Sequence, residues 1–575
     1  DRVASIAPPA QWADQESKWE FGAVPLGRAM TDGLRTPILA LLGGVMLMLL
    51  VGWANLMGLQ LTRTLRRSRE LSTRSALGSG RAALVRQVLT ENVVVAALGG
   101  TLGACLAVGA LPWIEAILED RLGLWRPLPG GWTLVTVAGI LTLLALAIYA
   151  LVPLVRAGRP GLAMNVISGT RVRGRSRHMG RKSVLVGQLA LVTVLLFSAA
   201  LLARSYLRLT GLDTGFDPQG AMTLQVSLDD ARFGESQQVQ AFFDETLAVL
   251  AAQPGVSSAA AALSLPYERP LNMVTRHPGS EDNLLANVVY VTPGFFETMG
   301  IPLLRGRALE RSDGPDTRTV MVANQAYVDR YLEGRNPLTS EMTVSGSFGN
   351  VPIVGVVGNV QQAAGWGGGS QPVSETPTLY LSAYQIPSGF FRGIHVWFAP
   401  SWIVRGRAGT IPSATEMRRA LAQVAPDLPV ARTISLAEVV DQAFTRQRLE
   451  AGLILVVTLF ALLLAGIGIY GVIAQEVEER RGEMGVRMAM GASPGSAVLT
   501  TAGDGLGVAA LGLALGLGLS ILAGRFLESL VWGVPSWDAV SLLSVTVTLG
   551  AAAAAASFLP AARIGRLEPA KILRE

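Results

Sequence analysis

Arg69-Glu70-Leu71-Ser72-Thr73-Arg74-Ser75-Ala76-Leu77-Gly78 returns 413 positions later as Gly482-Glu483-Met484-Gly485-Val486-Arg487-Met488-Ala489-Met490-Gly491. Each copy lies between two apolar segments long enough to cross a bilayer, so the chain reads as a duplicated membrane protein. The same offset places Arg67 on Arg480 and Glu91 on Asp504, and an offset of 407 brings Pro153, Arg156, Gly158 and Arg159 onto Pro560, Arg563, Gly565 and Arg566. Two related blocks of three spans are therefore expected. The second is preceded by one more span and a large polar insert.

Composition supports the class. Half of the 575 residues are hydrophobic and 16% are charged, against about a quarter charged in soluble domains. The mean hydropathy is +0.41. A spanning helix needs roughly 20 predominantly apolar residues. Seven stretches qualify: Pro37–Met57, Val88–Leu111, Trp132–Val155, Val184–Ala203, Gly452–Ala474, Thr501–Ala523 and Ala539–Pro560. The expected fold is an α-helical polytopic membrane protein with seven transmembrane helices and a large outer α+β domain.

Orientation follows from basic residues retained on the cytoplasmic side. Thr62–Gln87 holds seven arginines against the single acid Glu70, and Arg156–Lys182 holds eight basic residues and no acid. Both loops are expected inside, together with the tail carrying Arg563, Arg566, Lys571 and Arg574. Parity then puts Asp1–Thr36, Pro112–Gly131, Tyr206–Glu450 and Arg525–Asp538 outside. Gln475–Ala497 carries four glutamates beside three arginines, but acids weigh little in this rule and parity keeps the loop inside. The net charge of +6 sits at bilayer edges, which favours anionic lipid headgroups over nucleic acid. One cysteine, Cys105, falls within a span, so neither a disulfide framework nor a thiolate metal cluster is expected.

The outer insert alternates β-rich runs at Ala221–Leu228, Ala286–Val291, Thr319–Val322, Val351–Val357, Thr378–Leu381 and His395–Val404 with helical stretches at Gln237–Ala252 and Ala414–Val424. The glycine-rich Gly365–Ser370 reads as a flexible loop. No catalytic site is expected. Gly180-Arg181-Lys182-Ser183 breaks the phosphate-loop pattern at Arg181 and sits in a basic loop before a span. His178, His277 and His395 are scattered. Gly491-Ala492-Ser493-Pro494-Gly495 matches G-x-S-x-G, yet it joins an elbow to a span instead of a strand to a helix, and no histidine follows it. Neither cofactor nor metal is expected. Glu91 and Asp504 enter apolar spans, where an ionisable group is a functional suspect; their place near a helix start favours interaction with the positive end of the dipole. Gly503, Gly507, Gly512 and Gly516 have the small-residue spacing of close helix packing.

The elbow Glu479–Ala492, preceded by Gly466-Ile467-Gly468-Ile469-Tyr470-Gly471, resembles the permease half of the MacB/FtsX-like ABC transporter superfamily. The insert adds Val291–Pro302 with Gly306-Arg307, Val322-Ala323-Asn324 and Gly355-Val356-Val357-Gly358, which resemble the periplasmic core domain of that superfamily. The duplication without an attached ATPase is similar to the duplicated orphan permeases (ADOP family) of acidobacteria and relatives, whose full pattern has eight spans and two periplasmic domains. The resemblance implies a division into residues 1–36, the remnant of a first periplasmic domain; 37–160, a first FtsX-like three-span permease domain; 161–183, a basic cytoplasmic linker; 184–205, the span leading the second repeat; 206–449, the MacB-like periplasmic core; and 450–575, a second FtsX-like domain. The chain then reads as a truncated copy or fragment.

The resemblance also implies that Glu70, Arg74, Gly78, Glu483, Arg487 and Gly491 belong to coupling helices touched by a separate cytoplasmic ABC ATPase. Spacing alone favours a juxtamembrane elbow with ordinary i,i+4 Glu–Arg pairs; the resemblance reverses that for Glu483 and Arg487, less so for Glu70 and Arg74. The expected function is a permease-type, non-enzymatic subunit of a bacterial inner-membrane system, with its C-terminus cytoplasmic, for export or mechanotransmission. The alternative is a non-transporting scaffold for a periplasmic partner such as a cell-wall hydrolase. Partners implied are membrane lipids, the ATPase, a periplasmic protein, and either a second copy or the two repeats paired as an intramolecular pseudo-dimer.

Overall fold

The computed structural model describes residues 26–66, 81–122, 130–157, 174–345, 348–363, 373–479, 490 and 494–562. It falls into two compact units, Asp1–Tyr206 with Arg448–Glu575, and Leu207–Gln447. In chain order the longer helices are α1 (Leu26–Arg66), α2 (Arg81–Leu122), α3 (Gly131–Ala157), α4 (Gly174–Thr210), α5 (Ser236–Ala251), α6 (Ala414–Val424), α7 (Thr445–Glu479), α8 (Pro494–Leu527) and α9 (Ala539–Ala561).

The first unit is helical because a bilayer offers no water to satisfy backbone N–H and C=O groups, and an α-helix satisfies them within itself. Among the described residues six helices are long and apolar enough to cross a membrane: Arg35–Gly58, Thr90–Ala116, Lys182–Thr210, Thr445–Gln475, Ala502–Leu530 and Ala539–Pro560. The other expected span falls on α3, whose described apolar stretch is the shorter Gly131–Ala147. The centre of the unit is α4. Its Leu189, Val192 and Leu195 are buried with Val51 of α1, Ala461, Ala465, Ile469 and Ile473 of α7, Val508 and Ala509 of α8, and Leu549 and Ala553 of α9.

The second unit is built on one large mixed sheet. Its strands are β1 (Ala221–Val226), β2 (Val256–Ala262), β3 (Asn272–Arg276), β4 (Leu284–Val291), β5 (Leu303–Gly306), β6 (Met321–Asn324), β7 (Glu341–Val344), β8 (Gly349–Val357), β11 (Thr378–Ser382), β12 (Ser401–Gly406) and β13 (Val430–Ser435), while β9 (Gln361–Ala363) and β10 (Val373–Glu375) form a separate pair. The order is β11-β6-β8-β7-β3-β4-β2-β12-β1-β13, with β5 on β8. A parallel pairing of β11 with β4, Thr378 opposite Asn287 through Ser382 opposite Val291, closes the first six strands into a ring. Closure removes edges that would otherwise present unpaired backbone groups. The remaining four strands are backed by α5, whose Phe242 and Phe243 pack on Trp402 of β12. The buried indole of Trp402 donates to Thr246 Oγ1 at 2.9 Å.

The motif residues of this unit have local reasons. Asn324 ends β6 and accepts from the N–H groups of Tyr327 (3.0 Å) and Thr378 (2.9 Å) while donating to Thr376 O (2.9 Å), so one side chain caps a helix and ties β6 to β11. Where β5 crosses β8, Gly306 has φ +73°, and a Cβ on it would lie 2.7 Å from Leu338 Cδ2; one on Gly355 would overlap Arg307 O. Only glycine permits that approach. Arg307 then forks onto Asp313 with two 2.7 Å bonds.

Helix Ala414–Val424 has the expected limits, and β1, β4, β6, β8 and β11 overlap the expected runs. The run His395–Val404 does not hold as a strand, because the chain forms a short helix at Ser388–Ile394 with His395 at its C-cap, and extends only from Ser401. Helical spacing brings Phe391 and His395 onto the same core residue, Tyr290. Strand β2 was not expected, since Val256–Ala262 is mostly serine and alanine and its extended form comes from pairing with β12. The expected loop Gly365–Ser370 lies outside the described residues.

Tyr290 Oη and His395 Nε2 are 2.7 Å apart and buried. Burial pushes the His395 imidazole down to about 4. The unfolded chain therefore takes up the proton first, and the neutral imidazole stabilises the fold fully above pH ~6.5 and progressively less as pH falls toward 4. Lowering the pH from 7.5 to 4.5 should cost this unit roughly 2–3 kcal/mol through His395 alone. His395→Gln should flatten that part of the pH dependence when unfolding of the second unit is followed in detergent by tryptophan fluorescence. An unaltered pH profile would refute the assignment.

Candidate functional site

Inside the first unit, two amides from different helices converge on one carbonyl. Asn55 of α1 and Gln188 of α4 donate to Leu464 O of α7 at 3.3 and 3.4 Å. Both side chains are buried. Gly468 of α7 makes room for them: a Cβ there would stand 3.1 Å from Gln188 Nε2 and 3.3 Å from Asn55 Oδ1. A second polar tie follows along the same interface, where Thr458 Oγ1 of α7 donates to Leu195 O of α4 at 3.2 Å as well as to its own Ile454 O at 2.6 Å. Each such bond between membrane helices contributes about 0.6–2 kcal/mol, enough to set register between α1, α4 and α7 while leaving it adjustable.

The contacts of α1 with α7 run side by side. A Cβ on Gly44 would meet Ile454 Cδ1 at 3.3 Å and Val457 Cγ1 at 4.0 Å, one on Gly52 would meet Leu464 Cδ1 at 3.8 Å, and Asn55 lies at Gly468. The pairs Gly44–Val457 and Asn55–Gly468 are separated by 413 positions, the same offset as between the two Glu–Arg blocks of the sequence. Positions 413 apart in the chain thus face each other across α1 and α7.

Helix α8 holds α4 through glycine. A Cβ on Gly512 would lie 2.6 Å from Leu189 Cβ, and one on Gly516 would overlap Thr193. Gly503 and Gly507, expected in the same role, have no described atom within 4 Å of an added Cβ; Gly505 instead packs on Ile473 of α7, at 2.8 Å from an added Cβ. At one end of α4, Lys182 pairs with Asp504 of α8 at 3.8 Å. At the other, Arg204 binds Asp538, which also caps α9 by accepting from Ser541 N at 2.8 Å.

These positions correct the dipole reading of Glu91 and Asp504. Both residues lie at the edge of their spans, but α2 begins at Arg81 and α8 at Pro494, several turns earlier, beyond the reach of a helix-end dipole. For Asp504 the partner is an ion pair. The fragment Gly174–Ser183 forms the first turns of α4, helical where a loop was expected, and so is no strand-to-helix phosphate loop. The expected coupling residues Glu70, Arg74, Gly78, Glu483, Arg487 and Gly491 lie outside the described residues. Asn55 and Gln188 were overlooked in the sequence, although each is a lone amide within an apolar span, the signal that should have flagged them.

In the second unit, Phe216, shortly after the end of α4, and Phe444, just before α7, both pack on Tyr267, with ring centroids 6.1 and 5.6 Å apart. Tyr267 has φ +67°, the one positive-φ residue other than glycine among those described. Its neighbour Glu268 is held by Arg432 Nη1 at 2.9 Å and by Leu265 N at 3.2 Å. Burial raises the Glu268 pKa against these bonds. A non-glycine residue held at positive φ stores about 1–2 kcal/mol and persists only where its surroundings impose it.

Apolar spans with a mixed-sheet domain inserted between them define a multi-pass membrane protein. Comparison specifies it further. The model of the FtsX-like permease C-terminal family matches twice, at residues 42–160 and 455–569, and that of the MacB-like periplasmic core domain matches residues 183–418. The chain belongs to the MacB/FtsX-like ABC transporter permease superfamily, a family of transporter components, and is an inner-membrane protein with a periplasmic domain.

Curated relatives include the macrolide export ATP-binding/permease proteins MacB 2 of Aeromonas hydrophila, 23% identical over 50% of this chain and 43% of the relative, and MacB 1/2 of Paracoccus denitrificans, 24% identical over 62% and 51%. The chain spans about half the length of the curated relatives it matches. Among solved structures, the periplasmic region of MacB from Actinobacillus actinomycetemcomitans aligns at 13% identity over 40% of this chain and 95% of that one, with a TM-score of 0.26.

Gly516→Val should destabilise the helical unit by about 2–3 kcal/mol by driving a side chain into Thr193. Gly518→Val, at a position with no described atom within 4 Å of an added Cβ, should be near neutral. Thermal unfolding of the two variants in one detergent checks this, and equal effects would dissolve the α4–α8 contact as a determinant.

Proposed function

We propose that this chain is a permease-type subunit in which a separate cytoplasmic ABC ATPase acts on the two elbows, Arg69–Gly78 and Gly482–Gly491, and the motion passes through the spans to the periplasmic domain for export or mechanotransmission. The observation that carries it is the double FtsX-like match flanking a MacB-like periplasmic core. Seven spans, a cytoplasmic C-terminus and the domain boundaries of the sequence reading belong to this proposal, as does affinity with the duplicated orphan permeases. The side-by-side contact of equivalent α1 and α7 positions supports an intramolecular pseudo-dimer of the two repeats.

In this reading Glu70, Arg74 and Gly78, with Glu483, Arg487 and Gly491, form the surface offered to the ATPase. The ATPase acts by contacting one arrangement of the bundle better than another, and the ties at Leu464 O are contacts such a change would remake. The Phe216–Tyr267–Phe444 contact joins the two segments through which the chain enters and leaves the second unit, so it transmits their movement. Substrate would be handled by the periplasmic domain.

A mild-detergent purification of the native protein should bring down a stoichiometric ABC ATPase, identified by mass spectrometry. Glu483→Ala with Arg487→Ala should lower that association about tenfold or more, the loss of roughly 1.4 kcal/mol or above expected when charged contacts leave an interface. Persistent absence of an ATPase from an intact complex would favour a scaffold for a periplasmic partner. In the assembled system, Tyr267→Ala should uncouple ATP hydrolysis from the periplasmic response while leaving ATPase association intact; unchanged coupling would remove the aromatic contact from the path.

A further inference from the structure

Two strands of the large sheet have a neighbour on one side only. Strand β13 pairs with β1, and β5 pairs with β8. They are protected differently. Helix α6 lies beside β13, whose residues are half-buried except for Ala431, whereas β5 is exposed at all four of its positions. The ends of β5 are fixed to β8, with Gly358 N donating to Pro302 O at 2.9 Å and Arg307 N donating to Val354 O at 3.0 Å. Among the described residues Leu303–Gly306 pair with nothing else, so the outer edge of β5 offers its backbone N–H and C=O groups to water.

The side chains on this edge do not suit water. Leu303 and Leu304 are 45% and 49% exposed, and Leu338, which lies against Gly306, is 39% exposed. By contrast Leu224 of β1 and Leu379 and Leu381 of β11 are fully buried. Arg305 follows the two leucines and has no partner among the described residues, while Asp313 is taken by Arg307 and Glu341 of β7 by Arg318. The strand is short and carries a bulge between Leu303 and Arg305, devices that keep an exposed edge from pairing indiscriminately. They do not cover it.

We infer that the free edge of β5 is a docking site for an extended segment of another periplasmic protein, which joins the sheet as an added strand. Its apolar side chains cover Leu303, Leu304 and Leu338, and its carboxylate meets Arg305. A row of unpaired main-chain groups is matched by another strand, and the one unmatched charge on this edge is positive, so its complement is acidic. The occupant is not a second copy of β5, because antiparallel self-pairing would set the two Arg305 side chains on neighbouring positions, where like charges destabilise a strand pair. The inference concerns the surface of the second unit and does not rest on the ATPase, so each can fail without the other.

The test uses the 575-residue chain in lipid nanodiscs and, as the probe, a fluorescein-labelled decapeptide of alternating valine and glutamate. Fluorescence anisotropy should show binding, and hydrogen exchange should slow at residues 303–306 when the peptide is present. Arg305→Glu should weaken binding of this peptide about tenfold and favour its valine–lysine counterpart, whereas Arg418→Glu, on the exposed face of α6, should change neither. The same peptide N-methylated throughout cannot donate to the edge and should not bind. Absence of binding, or equal binding of the N-methylated peptide, would overturn the inference. Self-association of the chain that protects residues 303–306 and excludes the peptide would overturn it in favour of a second copy.

Discussion

The approach of α4 to α8 at Gly512 and Gly516 is the contact on which the helical unit depends. Lipid is as apolar as leucine, so burying more leucine does not hold membrane helices together; close packing and a few polar bonds do. With no side chain at two successive turns of α8, Leu189 and Thr193 can seat against its backbone. That places Gln188 and Leu195 of α4 where they meet α7. The ion pairs Lys182–Asp504 and Arg204–Asp538 then fasten the two ends of the same helix.

A second constraint shapes the inserted domain, where water is present and hydrophobic burial dominates. Trp402, Phe242, Phe243, Tyr290 and Phe391 form one aromatic core around α5 and β12. The ring of six strands beyond β4 is closed by the parallel pairing of β11. Tyr267, held at φ +67°, packs between Phe216, which follows α4, and Phe444, which precedes α7.

Much of this was legible in the residues. Apolar runs of some twenty residues are governed by bilayer thickness, a constraint independent of tertiary detail, so the expected spans agree closely with α1, α2, α4, α7, α8 and α9. The offset of 413 was legible too, through a glycine-ended Glu–Arg block. The family model later matched on both sides of the insert. Legibility failed where a residue's role depends on a distant neighbour. Asn55 and Gln188 are far apart in sequence and meet only because α1 and α4 both adjoin Leu464. His395 has the alternating neighbours of a strand, yet it closes a helix because Tyr290 supplies a buried hydroxyl for its ring.

By itself, then, the sequence determined that the chain is a membrane protein, where its apolar helices lie and to which superfamily it belongs. These properties reside in local composition and spacing, which act before any long-range contact forms. The tertiary structure alone decided which glycines are packing surfaces, since Gly503 and Gly507 have the same spacing as Gly512 and Gly516 and only the latter pair meets α4. It also decided which polar residues are buried together and why Ser257–Ala262 is extended, because each depends on the partner across the interface and not on the residue's own preference.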